Sequence, residues 1–264
     1  MILSQQSFKA VTDLFHSVSG IRLTEAKRSL VTGRLQKLAQ ESGIANLDRY
    51  VEHVVGGKDA DETRRVIDRL TTNETYFFRE PQHFDILAEL ADQAPRTEPF
   101  RVWSAASSSG EEAYSIGMVL AEHVGAKGWE VVGTDLSTAM VETARRALYP
   151  LDRIRNTPQA LVRKYCLRGQ GDYQGQVLIT KDLRQNIRFE SANLTERLPE
   201  IGQFDVIFLR NVLIYFDPPS KVEIVRRVIT KLKPGALLFT GHAESLGNTE
   251  LGLRTVKPAV YERS

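Results

Sequence analysis

The stretch FRVWSAASSSGEEAYSIGMVLAEH, Phe100 to His123, decides the fold of this chain. FRVWSAA is a short apolar run of strand type, and from Glu111 to His123 the apolar residues recur with helical period. Between them lies a turn of small residues, SAASSSGEE (Ser104–Glu112), in which only Gly110 is a glycine. A buried strand that passes through a tight turn into a helix is the opening half of a βαβ unit. WEVVGTD from Trp129, followed by a helical run from Ser137 to Leu148, repeats the pattern. FDVIFLRN from Phe204 precedes a helix of about Pro218–Leu232, and GALLFTGH from Gly235 supplies a further strand. This alternation predicts a parallel, doubly wound sheet, whose ligand binds outside the carboxyl ends of the strands where strand order reverses.

Outward from this core the pattern changes twice. From Phe8 to about Leu70, apolar residues such as Leu30, Leu35 and Leu38, or Val51, Val54 and Val55, follow helical spacing, with Gly20, Gly43 and Gly56–Gly57 as breaks. This predicts a small all-helical domain over residues 1–80 and a sheet domain over 81–264. The polar, two-proline segment DQAPRTEP (Asp92–Pro99) separates helix from strand. Between Arg163 and Phe189 three glycines are spaced among short β-prone runs, which predicts a small antiparallel insertion at about 163–189. There is no internal repeat and no low-complexity tract.

Composition narrows the function classes. The 264 residues are 42% hydrophobic and 26% charged, ordinary for a globular chain, and the formal net charge of +2 gives no whole-molecule attraction to nucleic acid or to anionic membrane. Cys166 is the only cysteine, so no internal disulfide forms and a reducing compartment fits. The start MILSQQSFKAVTDLF lacks the features of a signal peptide, and no stretch approaches the length of a membrane span. A soluble, cytoplasmic protein is expected, without metal, since the five histidines show no clustered ligands in sequence.

Several residues carry candidate chemistry. The Ser104–Glu112 turn lets backbone approach a ligand closely at a helix N-terminus, though an unliganded tight turn has the same composition, and it lacks the GxGxxG of a pyrophosphate binder. Asp135, at the end of VVGTD, suits the two hydroxyls of a ribose; it suits equally the cap of the helix that begins near Ser137. Together they suggest an adenosine ligand without a pyrophosphate. S-adenosylmethionine answers that description: a helix N-terminus receives its carboxylate and Glu111 or Glu112 its ammonium, unless these acids are only dipole partners of the helix. LTTNETYFFRE (Leu70–Glu80) mixes polar and bulky apolar residues on a connecting segment, which an interdomain helix would also do. FLRNVLIYFDP (Phe208–Pro218) puts Arg210 and Asn211 at a strand exit.

These motifs in order resemble the CheR family of chemotaxis-receptor glutamate methyltransferases. TTNETYFFRE is similar to its TTN-x-T-x-FFR-E segment, SAASSSGEEAYSI to its small-residue turn and GEEPYSI, GTD to its second-strand acid, FLRNVLIYFD to its RNV-x-IYF motif and GHAESL (Gly241–Leu246) to its GH-x-E segment. The departures are Ala105–Ala106 in the turn and Ala113, where proline is common; proline there only pre-sets the helix. The resemblance implies a helical N-terminal domain, a Rossmann-like S-adenosylmethionine-dependent methyltransferase sheet and an inserted antiparallel β-subdomain. It implies cofactor contacts from Asn73, Thr75 and Arg79, an ammonium site at Glu112, a ribose site at Asp135, an adenine border at Asn193 and Leu194, and completion of the pocket by Arg210 and Asn211.

The reaction so implied is in-line displacement, in which a receptor glutamate attacks the sulfonium methyl and S-adenosylhomocysteine is released. A carboxylate with an unperturbed pKa of about 4.3 needs no general base at neutral pH, so catalysis reduces to alignment. Arg79 is the candidate to hold the substrate carboxylate with its fork, and Tyr215 to border the transfer site. Arg22, Lys27, Arg28, Arg34 and Lys37, against Glu25 alone, suit an acidic receptor helix, as well as a merely solvated face. RGQGDYQG (Arg168–Gly175) resembles the longer loop of members that dock a receptor's C-terminal pentapeptide as an added strand. Rival readings are a methyltransferase for another substrate and a non-catalytic cofactor sensor or scaffold. Asp217-Pro218-Pro219 is similar to the DPPY motif of amino-methylating enzymes, but Ser220 replaces the aromatic that would stack on a base.

Overall fold

Helix breaks read in the N-terminal sequence become helix ends in the computed structural model, which describes residues 3–57, 59–247 and 251–264. Helix α1 (Gln5–Ser19) starts at Ser4, whose side chain accepts the Ser7 N–H, and stops at Gly20, whose φ of 73° suits a residue without Cβ. A 3-10 turn (Glu25–Lys27) leads into α2 (Arg28–Glu41), followed by α3 (Leu47–Val55) and α4 (Ala60–Leu70). Asn46 and Asp59 cap the last two. Their buried faces carry Phe8, Val11 and Phe15, then Val31, Leu35 and Leu38, then Tyr50, Val51 and Val54, then Val66, Ile67 and Leu70. Glu62 is buried among them because Tyr50 Oη (2.5 Å), Ser42 Oγ (2.7 Å) and Arg65 Nη1 (2.6 Å) all donate to it.

These helices form one unit, Met1–Thr72 with Tyr215–Ser220; the second comprises Asn73–Ile214 and Lys221–Ser264. Asn73–Glu80, assigned from sequence to the helical domain, thus groups with the sheet. It is not a helix: Phe78 and Glu80 have positive φ (56° and 55°), which no helical run tolerates.

In the second unit α5 (Gln82–Gln93) precedes β1 (Phe100–Ala105), α6 (Glu111–His123), β2 (Trp129–Asp135) and α7 (Thr138–Arg146). A small insertion follows, with β3 (Leu148–Pro150), α8 (Gln159–Tyr165), β4 (Cys166–Arg168), β5 (Gln176–Ile179) and the single turn α9 (Lys181–Arg184). Then come β6 (Ile187–Ser191), β7 (Phe204–Leu209), α10 (Pro218–Ile229), β8 (Leu232–Thr240), β9 (Leu253–Lys257) and β10 (Val260–Arg263). The main sheet has the order β6-β2-β1-β7-β8-β10-β9. Val102 of β1 pairs with Val131 of β2 on one side and Val206 of β7 on the other, and all three are fully buried, as expected of strands covered on both faces.

The sheet is mixed rather than purely parallel: β10 runs antiparallel to both β8 and β9. The second, three-stranded sheet (β3-β5-β4) is antiparallel and begins at Leu148, fifteen residues before the expected start, while β6 at its far end belongs to the main sheet. Leu148–Pro150 is too short to show alternation, and its ladder to β5 exists only after the chain returns. Among the described residues no helix is long and apolar enough to cross a membrane.

Candidate active site

Strand order reverses between β1 and β7, and the candidate residues collect at the carboxyl ends of these strands. After β1 the chain turns through Ala106 and Ser108, both at positive φ (62° and 50°), and reaches α6 through Gly110 at 96°. A Cβ on Gly110 would lie 2.8 Å from that of Ala144 and 3.0 Å from Tyr149 Oη, so close packing as well as backbone angle calls for glycine. The turn is braced from β2: Asp135 Oδ2 accepts the Ser108 N–H (2.8 Å) and Oδ1 the Ser137 N–H (2.9 Å). A carboxylate oxygen accepts more than one hydrogen bond, so this geometry is compatible with a ribose hydroxyl as a further donor. Tyr149 and Arg153 of the insertion donate to the carbonyls of Ser109 and Thr75, and Ser108 Oγ donates to that of Asn73 (3.1 Å).

The adjacent acids Glu111 and Glu112 face different partners. Glu111 is held by Ser109 Oγ (2.6 Å) and lies 3.5 Å from Arg153. Glu112 lies between Ser104 Oγ (2.7 Å) and Arg210 Nη1 (3.1 Å). Burial pushes both carboxyls above the ordinary range, and for Glu112 the nearby Arg210 opposes that push first.

Arg210, at the β7 exit, is the hub. Its side chain has no exposed surface, and besides Glu112 it reaches Glu80 Oε2 (3.1 Å) and the Arg79 carbonyl (2.5 Å), with the rings of Phe84 and Phe208 at 5.8 and 5.7 Å. Asn211 follows at φ 58° and donates from its amide to Glu80 Oε1 (3.1 Å). Burial would raise the Glu80 carboxyl, but Asn211, Arg210 and His242 together hold it below the ordinary range. Five of the seven positive-φ non-glycine residues described, Phe78, Glu80, Ala106, Ser108 and Asn211, belong to these turns, which is where functional sites store strain.

The other expected residues are placed as follows. Arg79, between Phe78 and Glu80, donates from Nη1 to the Glu74 carbonyl (3.0 Å) and lies over the Tyr76 ring at 5.8 Å. Asn193 caps its own turn by accepting from Thr195, and Leu194 beside it is buried. Tyr215 ends a 3-10 turn (Leu213–Tyr215) and groups with the helical unit. There Arg34 donates to the carbonyls of Leu70 (2.8 Å) and Thr71 (3.0 Å), and Arg28 donates to the Leu3 carbonyl (2.8 Å) and pairs with Glu25 and Gln5. Arg22 lies 3.6 Å from Asp217; Lys27 and Lys37 are exposed.

Sequence reading quotes Ser104, Glu80, His242 and Glu244 within its motifs without giving them a role, and passes over His83 altogether. His83 and His242 stack at 5.0 Å, and with Glu80 their ligand atoms lie within 4.8 Å of one another. One carboxylate with two imidazoles is a donor set that a divalent transition ion can use. Here, however, the same Glu80 oxygen already faces Arg210 and His242 Nδ1 (3.0 Å), so positive charge is supplied by the chain itself.

His83 is only 1% exposed, and neither ring nitrogen has a hydrogen-bond partner among the described residues. Burial first, then Arg210, pushes its pKa down to about 4. The unfolded chain takes up this proton near pH 6.5 and the native protein only near 4, so native stability falls as pH drops through that window. The loss is about 3 kcal/mol by pH 4. Urea midpoints between pH 7 and 4 should therefore shift less in His83→Gln than in the parent; parallel shifts would discard the assignment.

Comparison with known proteins agrees with this architecture. The family described as "CheR methyltransferase, SAM binding domain" matches residues 73–261, and "CheR methyltransferase, all-alpha domain" matches residues 6–71. The "Chemotaxis protein methyltransferase" of Salmonella typhimurium is 39% identical over 94% of this chain and 86% of its own length. That of Escherichia coli is 39% identical over 100% of this chain and 93% of its own, and "Chemotaxis protein methyltransferase 2" of Pseudomonas aeruginosa is 36% identical over 98% and 93%. With both its domains matched and relatives aligned along nearly its whole length, the chain belongs to the CheR family of S-adenosylmethionine-dependent methyltransferases.

Proposed function

We propose that this protein methylates glutamate side chains of a chemotaxis receptor, forming glutamyl methyl esters and S-adenosylhomocysteine. The observation that carries the reading is Glu112, half-buried at the N-terminus of α6 between Ser104 and Arg210, with its carboxyl held above the ordinary range. A second cationic group beside it, as the ammonium of S-adenosylmethionine would be, adds to Arg210 in favouring its charged form. Asp135 accepts the ribose hydroxyls, Asn193 and Leu194 border the adenine, Asn73, Thr75 and Arg79 contact the cofactor, and Arg210 with Asn211 completes the pocket. S-adenosylmethionine supplies an electrophilic methyl on a sulfonium. The chain's task is to align an already ionised substrate carboxylate with that methyl and to exclude water, with Arg79 holding the carboxylate and Tyr215 bordering the transfer site.

Two surfaces suit the receptor. Arg28 and Arg34, and in part Arg22 through Asp217, are spent on their own domain, so charge steering rests chiefly on Lys27 and Lys37, with the exposed Arg22 adding to them. In the insertion, β4 pairs with β5 on one side, and Leu167 on β4 and Tyr173 in the following loop are 55% and 57% exposed. A receptor's C-terminal pentapeptide fits there as an added strand, raising the local concentration of enzyme at its substrate. Action on a receptor's signalling domain supports a cytoplasmic location.

The test is transfer of labelled methyl from S-adenosylmethionine to a purified receptor signalling domain. Label that mild base releases is expected; base-stable label, or none with cofactor bound, would reject glutamyl ester formation.

A further inference from the structure

GHAESL contains a carboxylate that the cofactor assignments leave unused. Glu244 is 5% exposed. Its Oε2 accepts the N–H groups of Asn211 (2.7 Å) and Gly241 (2.8 Å), and its Oε1 accepts that of Ile214 (3.1 Å). Asn211 and Ile214 belong to the exit of β7, and Gly241 to the exit of β8. One carboxylate therefore ties the two strand exits together. Its own backbone is fixed in turn: the Glu244 N–H donates to the Gly241 carbonyl (2.8 Å), and Thr240 Oγ1 donates to the Glu244 carbonyl (2.9 Å). The exits pack so tightly that a Cβ on Gly241 would stand 2.6 Å from Asn211 Nδ2 and 2.8 Å from Glu244 Oε2.

The residue so clamped is the strained one. Asn211 holds φ 58°, a conformation that persists only when its surroundings over-determine it, and its amide donates to Glu80. The preceding residue is Arg210, whose guanidinium must span Glu80 and Glu112. A backbone N–H donating to a carboxylate is roughly twice as strong as a neutral pair, so three of them suffice to hold a short loop in one conformation.

We propose that Glu244 is a positioning residue for the methyl-transfer site, fixing the 210–214 strand exit so that Arg210 and Asn211 stand ready for cofactor. This rests on the methyltransferase reading above. Glutamine is the incisive replacement, because its single amide oxygen can take only one of the two carboxylate positions, and its NH2 at the other faces a backbone N–H donor to donor. Glu62→Gln supplies the control, since Glu62 is a comparably buried carboxylate within the helical unit.

Calorimetric titration of the whole protein with S-adenosylhomocysteine, and kcat on receptor, would be measured at a temperature where each variant is fully folded by circular dichroism. Glu244→Gln should weaken S-adenosylhomocysteine at least about tenfold and lower kcat about tenfold or more, while Glu62→Gln changes neither. Parental affinity and kcat in Glu244→Gln would overturn the proposal; so would equal losses in both variants. Should Glu244→Gln not fold, amide exchange on the parent decides: slow exchange at Asn211, Gly241 and Ile214 is expected, and fast exchange at all three would overturn it. A parent that binds no S-adenosylhomocysteine would instead refute the functional reading.

Discussion

Arg210→Met should lower the unfolding free energy by about 3–5 kcal/mol, the range for removing one partner of a buried ion pair. Methionine restores much of the volume between Phe84 and Phe208 but leaves the Glu80 and Glu112 carboxylates facing each other without the guanidinium that separates them. Two half-buried like charges raise each other's pKa, so the destabilisation is largest at neutral pH. It shrinks as pH falls and the carboxyls protonate, because protonation removes the uncompensated charge from the native state. Urea midpoints at pH 7.5 and pH 5, with unchanged m-values, would show it. Adding Glu112→Gln should recover part of the loss, which makes the interaction a measurable coupling. An Arg210→Met protein as stable as its parent at both pH values would mean that the ion-pair chain contributes nothing to folding.

What the sequence discloses and what it hides divide along a physical line. Strand and helix identity in the sheet unit was legible because each element has one strong local period: the helix expected from Glu111 to His123 has those bounds, and the strand expected from Phe204 runs to Leu209. In the helical unit the period gave the elements but not every buried position. Leu35, Leu38, Val51 and Val54 are buried, yet Leu30 and Val55 remain 38% and 41% exposed, since an apolar stripe read at three- and four-residue spacing is wider than the face a short helix can cover.

Short or late elements escaped. β3 is three residues ending in proline, and β9 and β10 pair antiparallel with each other, so their evidence is long-range pairing rather than local pattern. The site was legible only where a motif put chemistry at a strand end, as in Asp135 and Arg210–Asn211. Glu80 and Glu244 could not be found that way. Glu80 lies 131 residues from Asn211 in sequence, and what defines its role, a carboxylate shared by Arg210, Asn211 and His242, exists only in three dimensions. The one local signal was that an acid closes each segment, NETYFFRE and GHAE, next to residues that the resemblance had already marked.

Arg79 carries the other large expected effect, on chemistry rather than on folding. Its backbone is set by left-handed residues on both sides and its carbonyl is taken by Arg210, so the direction in which its side chain leaves the chain is fixed. The guanidinium itself is half-buried and donates from Nη1 to the Glu74 carbonyl, beside the Tyr76 ring. That contact orients the planar fork, and two parallel donors match the two oxygens of a glutamate side chain. If the fork aligns the attacking carboxylate, Arg79→Ala should lower kcat by about 10²–10³-fold, the cost of deleting a preorganised donor at a reacting centre. Affinity for S-adenosylhomocysteine should fall much less than kcat, and the unfolding midpoint should scarcely move, because no buried charge is left unpaired. Arg79→Lys keeps the charge but not the fork and should recover only part of the rate. A loss confined to cofactor affinity, with kcat intact at saturation, would instead make Arg79 a cofactor ligand alone and leave substrate alignment to other groups.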